Sequence, residues 1–445
     1  MRKTAYIFLT CILMAGMLAA CNLPSTSLIT PTAAVEQPQA TEAVLAPTEP
    51  AVLPTETAVP PTAAIIPPTE TRVPGPAVML DQIHMLNIND GWGWASNSGQ
   101  MTQLLRTSDG GQTWLDVSPS EATDASTGQS KYAYYDSFFL DAQTAWLIFY
   151  DSSANAGGLL HTTDGGKTWA SLPPNDLLQN ARVKFTSPTD GVAETAGLGA
   201  GNAYLNYYQT KDAGASWQLI TLTAPTSETN LPAGTIHLCN ICGDSLYYDP
   251  GRVIITYGDM ASDPVGVVRL SVSTDLGQHW NSLKLPLPDK YVSGSVAPIS
   301  PTFFGQVGVM PINIIKYGSD GSVAFSVLMM YTSQDGGQSW QPAQGMLENQ
   351  HTQINDVQIL SAMDVFVRCG KNLCFTNNGA QTWQTLPDNA LNFDQSASPP
   401  DYVSEFSFVD PANGWAITGD SGATNLWQSK DGGATWQKIS PTLIK

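Results

Sequence analysis

Apolar residues in this chain fall in short alternating or continuous runs, and no stretch keeps helical spacing. Ile83 and Met85, and later Phe406 and Phe408, alternate as the inward positions of half-buried strands do. Between the runs stand clusters of Asp, Gly, Pro, Ser and Thr, so the predicted elements are strands joined by turns. One such turn is written seven times, as S/T-x-D-G-G-x-S/T-W: Thr107–Trp114, Thr162–Trp169, Thr210–Trp217, Ser273–Trp280, Ser333–Trp340, Thr376–Trp383 and Ser429–Trp436. The acidic positions, Asn in the sixth copy, lie 55, 48, 63, 60, 43 and 53 residues apart. A period near fifty in an all-β pattern predicts a propeller with one blade per repeat.

Each part of the octapeptide has a mechanical role. The carboxylate of Asp109 folds back onto backbone N–H groups of the turn, as in an Asx turn. Gly110 and Gly111 supply positive φ, and Trp114 opens the next strand with a side chain large enough to cover the hairpin end. The same pairing is expected of Asp164 and Trp169, Asp212 and Trp217, Asp275 and Trp280, Asp335 and Trp340, Asn378 and Trp383, and Asp431 and Trp436. One carboxylate per turn is too few for calcium, so these residues are expected to clamp hairpins and no metal is expected. Ahead of most clamps runs a second half-repeat, as in His84–Trp94, Ser137–Trp146, Val183–Val192 and Phe406–Trp415; weaker forms occur at Leu246–Ile255, Pro301–Val309 and Val357–Val367. Together the halves give about four strands per repeat, hence an all-β, single seven-bladed β-propeller over residues 78–445.

The first 77 residues follow other rules. Residues 1–20 have a basic start (Arg2, Lys3) and an apolar run too short for a comfortable membrane span, which reads as an export signal. Leu18-Ala19-Ala20-Cys21 resembles the bacterial lipobox, which implies cleavage before Cys21, its lipidation, and anchoring at the outer face of the cell membrane. Residues 22–77 are Pro/Thr/Ala/Glu-rich without an aromatic residue and read as a disordered stalk.

The repeats, each an F-x-D-x-x-x-G-W-like half followed by S/T-x-D-G-G-x-T-W, resemble the Asp-box (BNR) repeat propellers. The whole repeat is most similar to the photosystem II assembly and stability factor propellers of the WD40/YVTN/BNR-like class. That resemblance implies the propeller fold and a protein client, which the family binds through an Arg-rich patch. Sialidases, xyloglucanases and sortilin-type receptors carry the same box, so the fold by itself does not select an activity. Copies three, four and six depart from the pattern at Ala213, Leu276 and Asn378-Gly379-Ala380, and Asn378 keeps the ability to form the turn.

Charge and cysteines narrow the functions. Net charge is −19; the signal contributes +2 and the stalk −4, which leaves −17 on the domain. Such a domain repels phosphate backbones, so nucleic acid is not an expected partner. Cys369 and Cys374 bracket Gly370–Leu373, read as a hairpin turn, and are candidates for a disulfide outside the cytoplasm, as are Cys239 and Cys242 in a CNIC loop. A sialidase needs three converging arginines, but the domain offers only Arg106, Arg182, Arg252, Arg269 and Arg368, with no F/Y-R-I-P motif before the first box. The five histidines are scattered, and neither a nucleophile elbow nor a phosphate-binding loop is present. No catalytic residue and no cofactor is expected. The reading is a monomeric, non-enzymatic surface lipoprotein offering an interaction or assembly platform to a protein client. The alternative is carbohydrate-directed, as a glycan binder or a glycoside hydrolase. Four long segments, Ser118–Tyr132, Leu222–Asp244, Pro286–Ser300 and Leu386–Val403, are candidate binding loops.

Overall fold

The computed structural model describes residues 75–97, 100–120, 132–151, 156–172, 175–178, 181–199, 202–222, 235–238, 245–249, 251–257, 267–349, 354–386, 391–393, 402–419 and 424–444. Their strands form seven antiparallel sheets, the blades, taken in chain order. Blade 1 comprises Gln82–Met85, Gly91–Asn97, Gln100–Thr107 and Thr113–Asp116. Blade 2 comprises Tyr132–Phe139, Ala145–Asp151, Ala156–Thr162 and Ala170–Ser171; blade 3 comprises Ala181–Phe185, Gly191–Gly199, Asn202–Thr210 and Gln218–Ile220. Blade 4 runs from Ser245–Asp249 through Arg252–Tyr257 and Val267–Ser273 to Asn281–Pro286. Blade 5 has the long pair Val307–Tyr317 and Val323–Ser333, with its first strand split into Ser295–Pro298 and Thr302–Phe304. Blade 6 comprises Ile354–Ile359, Val365–Cys369, Asn372–Thr376 and Gln384–Thr385; blade 7 comprises Val403–Phe408, Gly414–Thr418, Asn425–Ser429 and Gln437–Ile439.

The apolar core is divided among the seams. Each hydrophobic cluster joins one blade to the next, for example Trp92, Leu104, Tyr134 and Leu147 between blades 1 and 2. Phe366, Leu373, Val403 and Phe408 do the same between blades 6 and 7. The ring closes through Trp415, Ile417 and Leu426 of blade 7 against Leu80, Ile83 and Trp114 of blade 1. Second strands are therefore covered on both faces, which is why Val365–Cys369 and Gly414–Thr418 are buried at every position. First strands touch between blades 7 and 1 and between blades 2 and 3, which places the first strands nearest the axis.

The octapeptide works as its composition requires. Asp109 Oδ1 accepts from Thr113 N at 2.9 Å and Oδ2 from Thr113 Oγ1 at 2.6 Å, while Thr107 Oγ1 accepts from Gly111 N at 3.0 Å. The same lattice recurs around Asp164, Asp212, Asp275, Asp335 and Asp431. Asn378 replaces one acceptor with a donor, its Nδ2 meeting Thr382 Oγ1 at 2.8 Å. Ala213, Leu276 and Ala380 sit at φ of 61°, 57° and 59°, so the three departures from glycine adopt the left-handed geometry of the consensus. In six blades the first of the two positive-φ residues also donates to the turn joining strands one and two, as Gly110 N does to Asn89 O at 2.9 Å; both turns therefore share one face of the propeller.

A final strand, Thr442–Ile444, pairs in parallel with Thr113–Leu115 at the outer edge of blade 1. Its other side takes Leu443 N to Pro76 O at 2.8 Å and Val78 N to Pro441 O at 3.0 Å. Every blade is thus complete from contiguous chain, and the tail is latched between the domain's entry and its first blade.

Candidate functional site

The inner strands of blades 7, 1 and 2 enclose a cavity of about 270 Å³ lined by Gln82, His84, Trp92, Asp136, Phe139 and Glu405 among others. A second cavity, of about 360 Å³, lies between blades 6 and 7 and shares Glu405 with the first. Asp356, Gln358, Arg368 and Ser404 line it. Inner-strand bulges shape both: register shifts occur between Tyr134 and Asp136, between Asn355 and Val357, and between Val403 and Glu405. Each bulge re-aims the polar side chain at or beside it.

Burial pushes the Glu405 carboxyl up to about 7, against the opposing effect of its hydrogen bond from Ile83 N at 3.2 Å. Burial also raises Asp136, whose Oδ2 accepts from Val183 N at 3.1 Å, while the positive charge of Arg182 pulls it back. The same desolvation lowers His84. A carboxyl protonated near neutrality beside an imidazole held neutral is chemistry that acid–base catalysis uses. Yet each carboxylate also stitches its blade to the next: Asp136 joins blade 2 to blade 3, and Glu405 joins blade 7 to blade 1. Gln358 makes the equivalent connection from blade 6 to blade 7, with Nε2 on Phe408 O at 3.0 Å and Oε1 accepting from Phe408 N at 2.9 Å. A neutral amide performs that task, so the stitch itself needs no acid.

Arg106, Arg252 and Arg368 lie at different seams and do not converge. Arg106 lies 3.8 Å from Asp90 and over Trp92, at the seam of blades 1 and 2. Arg252 pairs with Asp249 at 2.9 Å and lies over Phe303, at the seam of blades 4 and 5. Arg368 is almost wholly buried, its Nε on Asp356 Oδ2 at 2.7 Å and its Nη1 on the carbonyls of Phe393 and Val403. It ties strand two of blade 6 to the segment leading into blade 7. Neither a sialidase-like triad nor an arginine patch is assembled from these described residues.

The box aspartates face solvent, and their tryptophans brace hairpin ends. Trp114 Nε1 donates to Gly111 O and Trp340 Nε1 to Gly337 O, both at 2.9 Å, while Trp169 Nε1 reaches Val117 O of blade 1 at 2.8 Å. Trp217, Trp280, Trp383 and Trp436 are half-buried. The half-repeat tryptophans do more than fill seams. Trp92 Nε1 donates to Asp141 O (3.1 Å), Trp146 Nε1 to Ala213 O (2.9 Å), and Trp415 Nε1 to Gly110 O (3.0 Å), each from one blade to the next. Cys369 and Cys374 are bonded to each other. The turn between them is tighter than the sequence suggested. Asn372 pairs with Cys369, so Gly370 and Lys371 alone make it, and the bond runs diagonally because Cys374 faces Val367. Cys21, Cys239 and Cys242 lie outside the described residues. Two of the long segments are in part structural: Ser295–Pro298 is blade 5's inner strand, and Thr235–Leu238 extends the outer edge of blade 3 against Ala203–Asn206. Strand pairing had claimed residues that length alone marked as loop.

Residues 331–342, the fifth box, match the family model of the BNR/Asp-box repeat. The chain is an Asp-box repeat β-propeller. Residues 69–237 match the model described as photosynthesis system II assembly factor YCF48. No curated protein matches the chain. Among solved structures it is similar to YCF48 bound to D1 peptide, with 18% identity, 80% of this chain and 94% of that chain covered, and a TM-score of 0.43. It is similar to YCF48 from Cyanidioschyzon merolae at 16% identity, with 80% and 97% covered and a TM-score of 0.41. A polysaccharide lyase, an ulvan lyase bound to -[GlcA(1-4)Rha3S]-, is similar at 10% identity, with 80% and 96% covered and a TM-score of 0.40.

Proposed function

We propose that this Asp-box propeller is a non-enzymatic platform that holds a protein client, carried on the outer face of a bacterial membrane by a lipidated Cys21 with residues 22–77 as its tether. The observation that carries the reading is the match of residues 69–237 to an assembly-factor family model. The inter-blade engagement of Asp136 and Glu405 supports the non-enzymatic part. A carbohydrate-directed reading has one observation in its favour, the raised carboxyls of Glu405 and Asp136 beside His84 and Trp92 in one cavity.

The test uses the full chain in its own membrane. Cross-linking followed by mass spectrometry is expected to recover one reproducible protein client, equally from wild type and from a Glu405→Gln, Asp136→Asn double variant. The purified full chain is expected to leave a mixed glycan library unshortened. Glycans shortened by wild type and spared by the double variant would overturn the proposal in favour of hydrolysis or elimination. Cys21→Ser is expected to move the protein out of the membrane fraction; retention there would sink the lipid anchor.

A further inference from the structure

Strand pairing defines one position in every blade, the second-strand residue opposite the residue just before the box Ser or Thr. It is Trp92, Trp146, Val192, Ile254, Val309, Phe366 and Trp415 in blades 1 to 7. Six of these are at most 1% exposed; Val192 alone is only half-buried. Where the residue is Trp, the indole fills the seam and donates to the following blade. Where it is smaller, the neighbouring blade compensates. Phe303 of blade 5 comes in against Tyr247 and under Arg252 beside Ile254, and Phe408 stacks on Phe366 at 3.8 Å. Val309 is covered from blade 6 within a cluster that includes Val365 and Ala380.

At the seam of blades 3 and 4, Tyr248 holds the register place of Phe303 and Phe408 and packs with Val192 against one apolar cluster, yet Val192 stays half-buried. Blade 4 turns from Asp249 to Arg252 across two residues, as blade 5 does from Phe304 to Val307, whereas blades 1, 2, 3, 6 and 7 place five residues between the same strands. Between blades 3 and 4 lies a cleft of about 250 Å³ walled by Val192, Gly191, Tyr248 and Gln209 and rimmed by Lys184 and Lys211. Tyr248 is held in place by stacking on Tyr207 at 5.0 Å. Leu276, 37% exposed, stands at the box position of Gly110. The volume is below the roughly 300–1,000 Å³ of pockets that enclose whole small ligands, and suits a single large side chain.

The charges specify what flanks that side chain. Asp190 is paired with Lys211 at 2.6 Å and Asp249 with Arg252 at 2.9 Å, so both carboxylates of the cleft are matched from within. Lys184 is exposed and makes no ion pair among the described residues. Lys184 is thus the one charged group of the cleft without an ion-pair partner among the described residues, on a domain whose net charge is strongly negative. We infer that this cleft is the docking point for a partner polypeptide that inserts a tryptophan-class aromatic side chain at the place that three other seams fill with Trp92, Trp146 and Trp415, with an acidic residue beside it facing Lys184. The inference rests on the protein-platform reading and gives that partner its chemistry.

The test uses the full chain in detergent and the probe acetyl-Ser-Glu-(fluoro-Trp)-Glu-Ser-amide, followed by fluorine NMR at millimolar concentration. Saturable binding is expected, weakened about tenfold or more when the probe's aromatic residue is replaced by Ala. Val192→Trp is expected to fill the cleft from within, abolish probe binding and raise the melting temperature. Lys184→Glu, which leaves the seam's packing untouched, is expected to weaken binding about threefold or more at low salt, with Lys438→Glu on blade 7 as an inert control. No binding to wild type, or binding indifferent to both Val192→Trp and Lys184→Glu, would overturn the inference. The two proposals fail separately. A client cross-linked equally by wild type and Val192→Trp leaves the platform standing and removes the cleft; cleft-dependent probe binding without any cellular client does the reverse.

Discussion

Replacing Glu405 with Gln isolates the electrostatic cost of the axial cavity. The folded carboxyl titrates at about 7 because of burial, against 4.5 for the free side chain. A raised carboxyl pKa means the fold binds the proton more tightly than the unfolded chain, so its contribution is intact below the unfolded value. It is then lost as pH climbs through the folded one. Between those limits each pH unit removes about 1.4 kcal/mol, for a total of roughly 3 kcal/mol, and above about pH 7 the loss is complete. Gln keeps an oxygen for Ile83 N and cannot ionise. Asp136, His84, Asp356 and Arg368 line the same two cavities and are common to both proteins, so to first order they cancel in the difference. The variant is expected to match wild type near pH 4 and to exceed it by up to about 3 kcal/mol near pH 8. Urea titrations followed by tryptophan fluorescence at each pH read this directly. A variant less stable at pH 8, or a difference that does not change with pH, would refute the assignment of a buried, strained carboxyl.

Three further outcomes follow from the seams and clamps. Trp415→Phe removes the indole donor to Gly110 O and leaves a buried carbonyl unmatched; a loss of about 1–3 kcal/mol is expected in the same urea assay. Ala213→Gly and Ala380→Gly relieve positive φ at 61° and 59° and are each expected to stabilise by up to about 1 kcal/mol, seen as a raised melting temperature. Hydrogen bonds from the Thr168 backbone and hydroxyl hold Asp164 down to about 2, and those from His279 do the same for Asp275. Depressed carboxyls stabilise the fold above their unfolded pKa and lose that contribution as pH falls through the folded one, so acid unfolding should set in below about pH 4. Asp164→Asn is expected to make that acid limb shallower, since Asn378 shows that an amide closes the same turn.

The clamp was legible because it is local. Every partner of Asp109 lies within four residues, so composition and spacing alone determine the hydrogen bonds. The half-repeat tryptophans were legible as strand residues, but their acceptors were not, because Trp92 and Asp141 are 49 residues apart and Trp415 and Gly110 are 305 apart. The axial cavity was hidden for the same reason. Glu405 and Ile83 meet across 322 residues, and bulges beside Asp136 and Glu405 change which way each side chain points without leaving a mark on the apolar pattern. Segment length misled at Pro286–Ser300, where a short strand with few strong β-formers, Ser295–Pro298, pairs only because Ile312–Ile315 offers it an edge.

The latch at Thr442–Ile444 gives the propeller a direction of mechanical strength. A load applied through residue 75 acts on a ribbon, residues 76–78, bonded side by side to 441–443, which is bonded in turn to 113–115. Tension along those strands shears several hydrogen bonds at once, whereas tension across them would open one at a time. Clipping the last four residues would leave all seven blades with their own strands and yet turn that shear joint into a peeling one. The truncated domain would then yield, under a pull at its entry, from blade 1 outward.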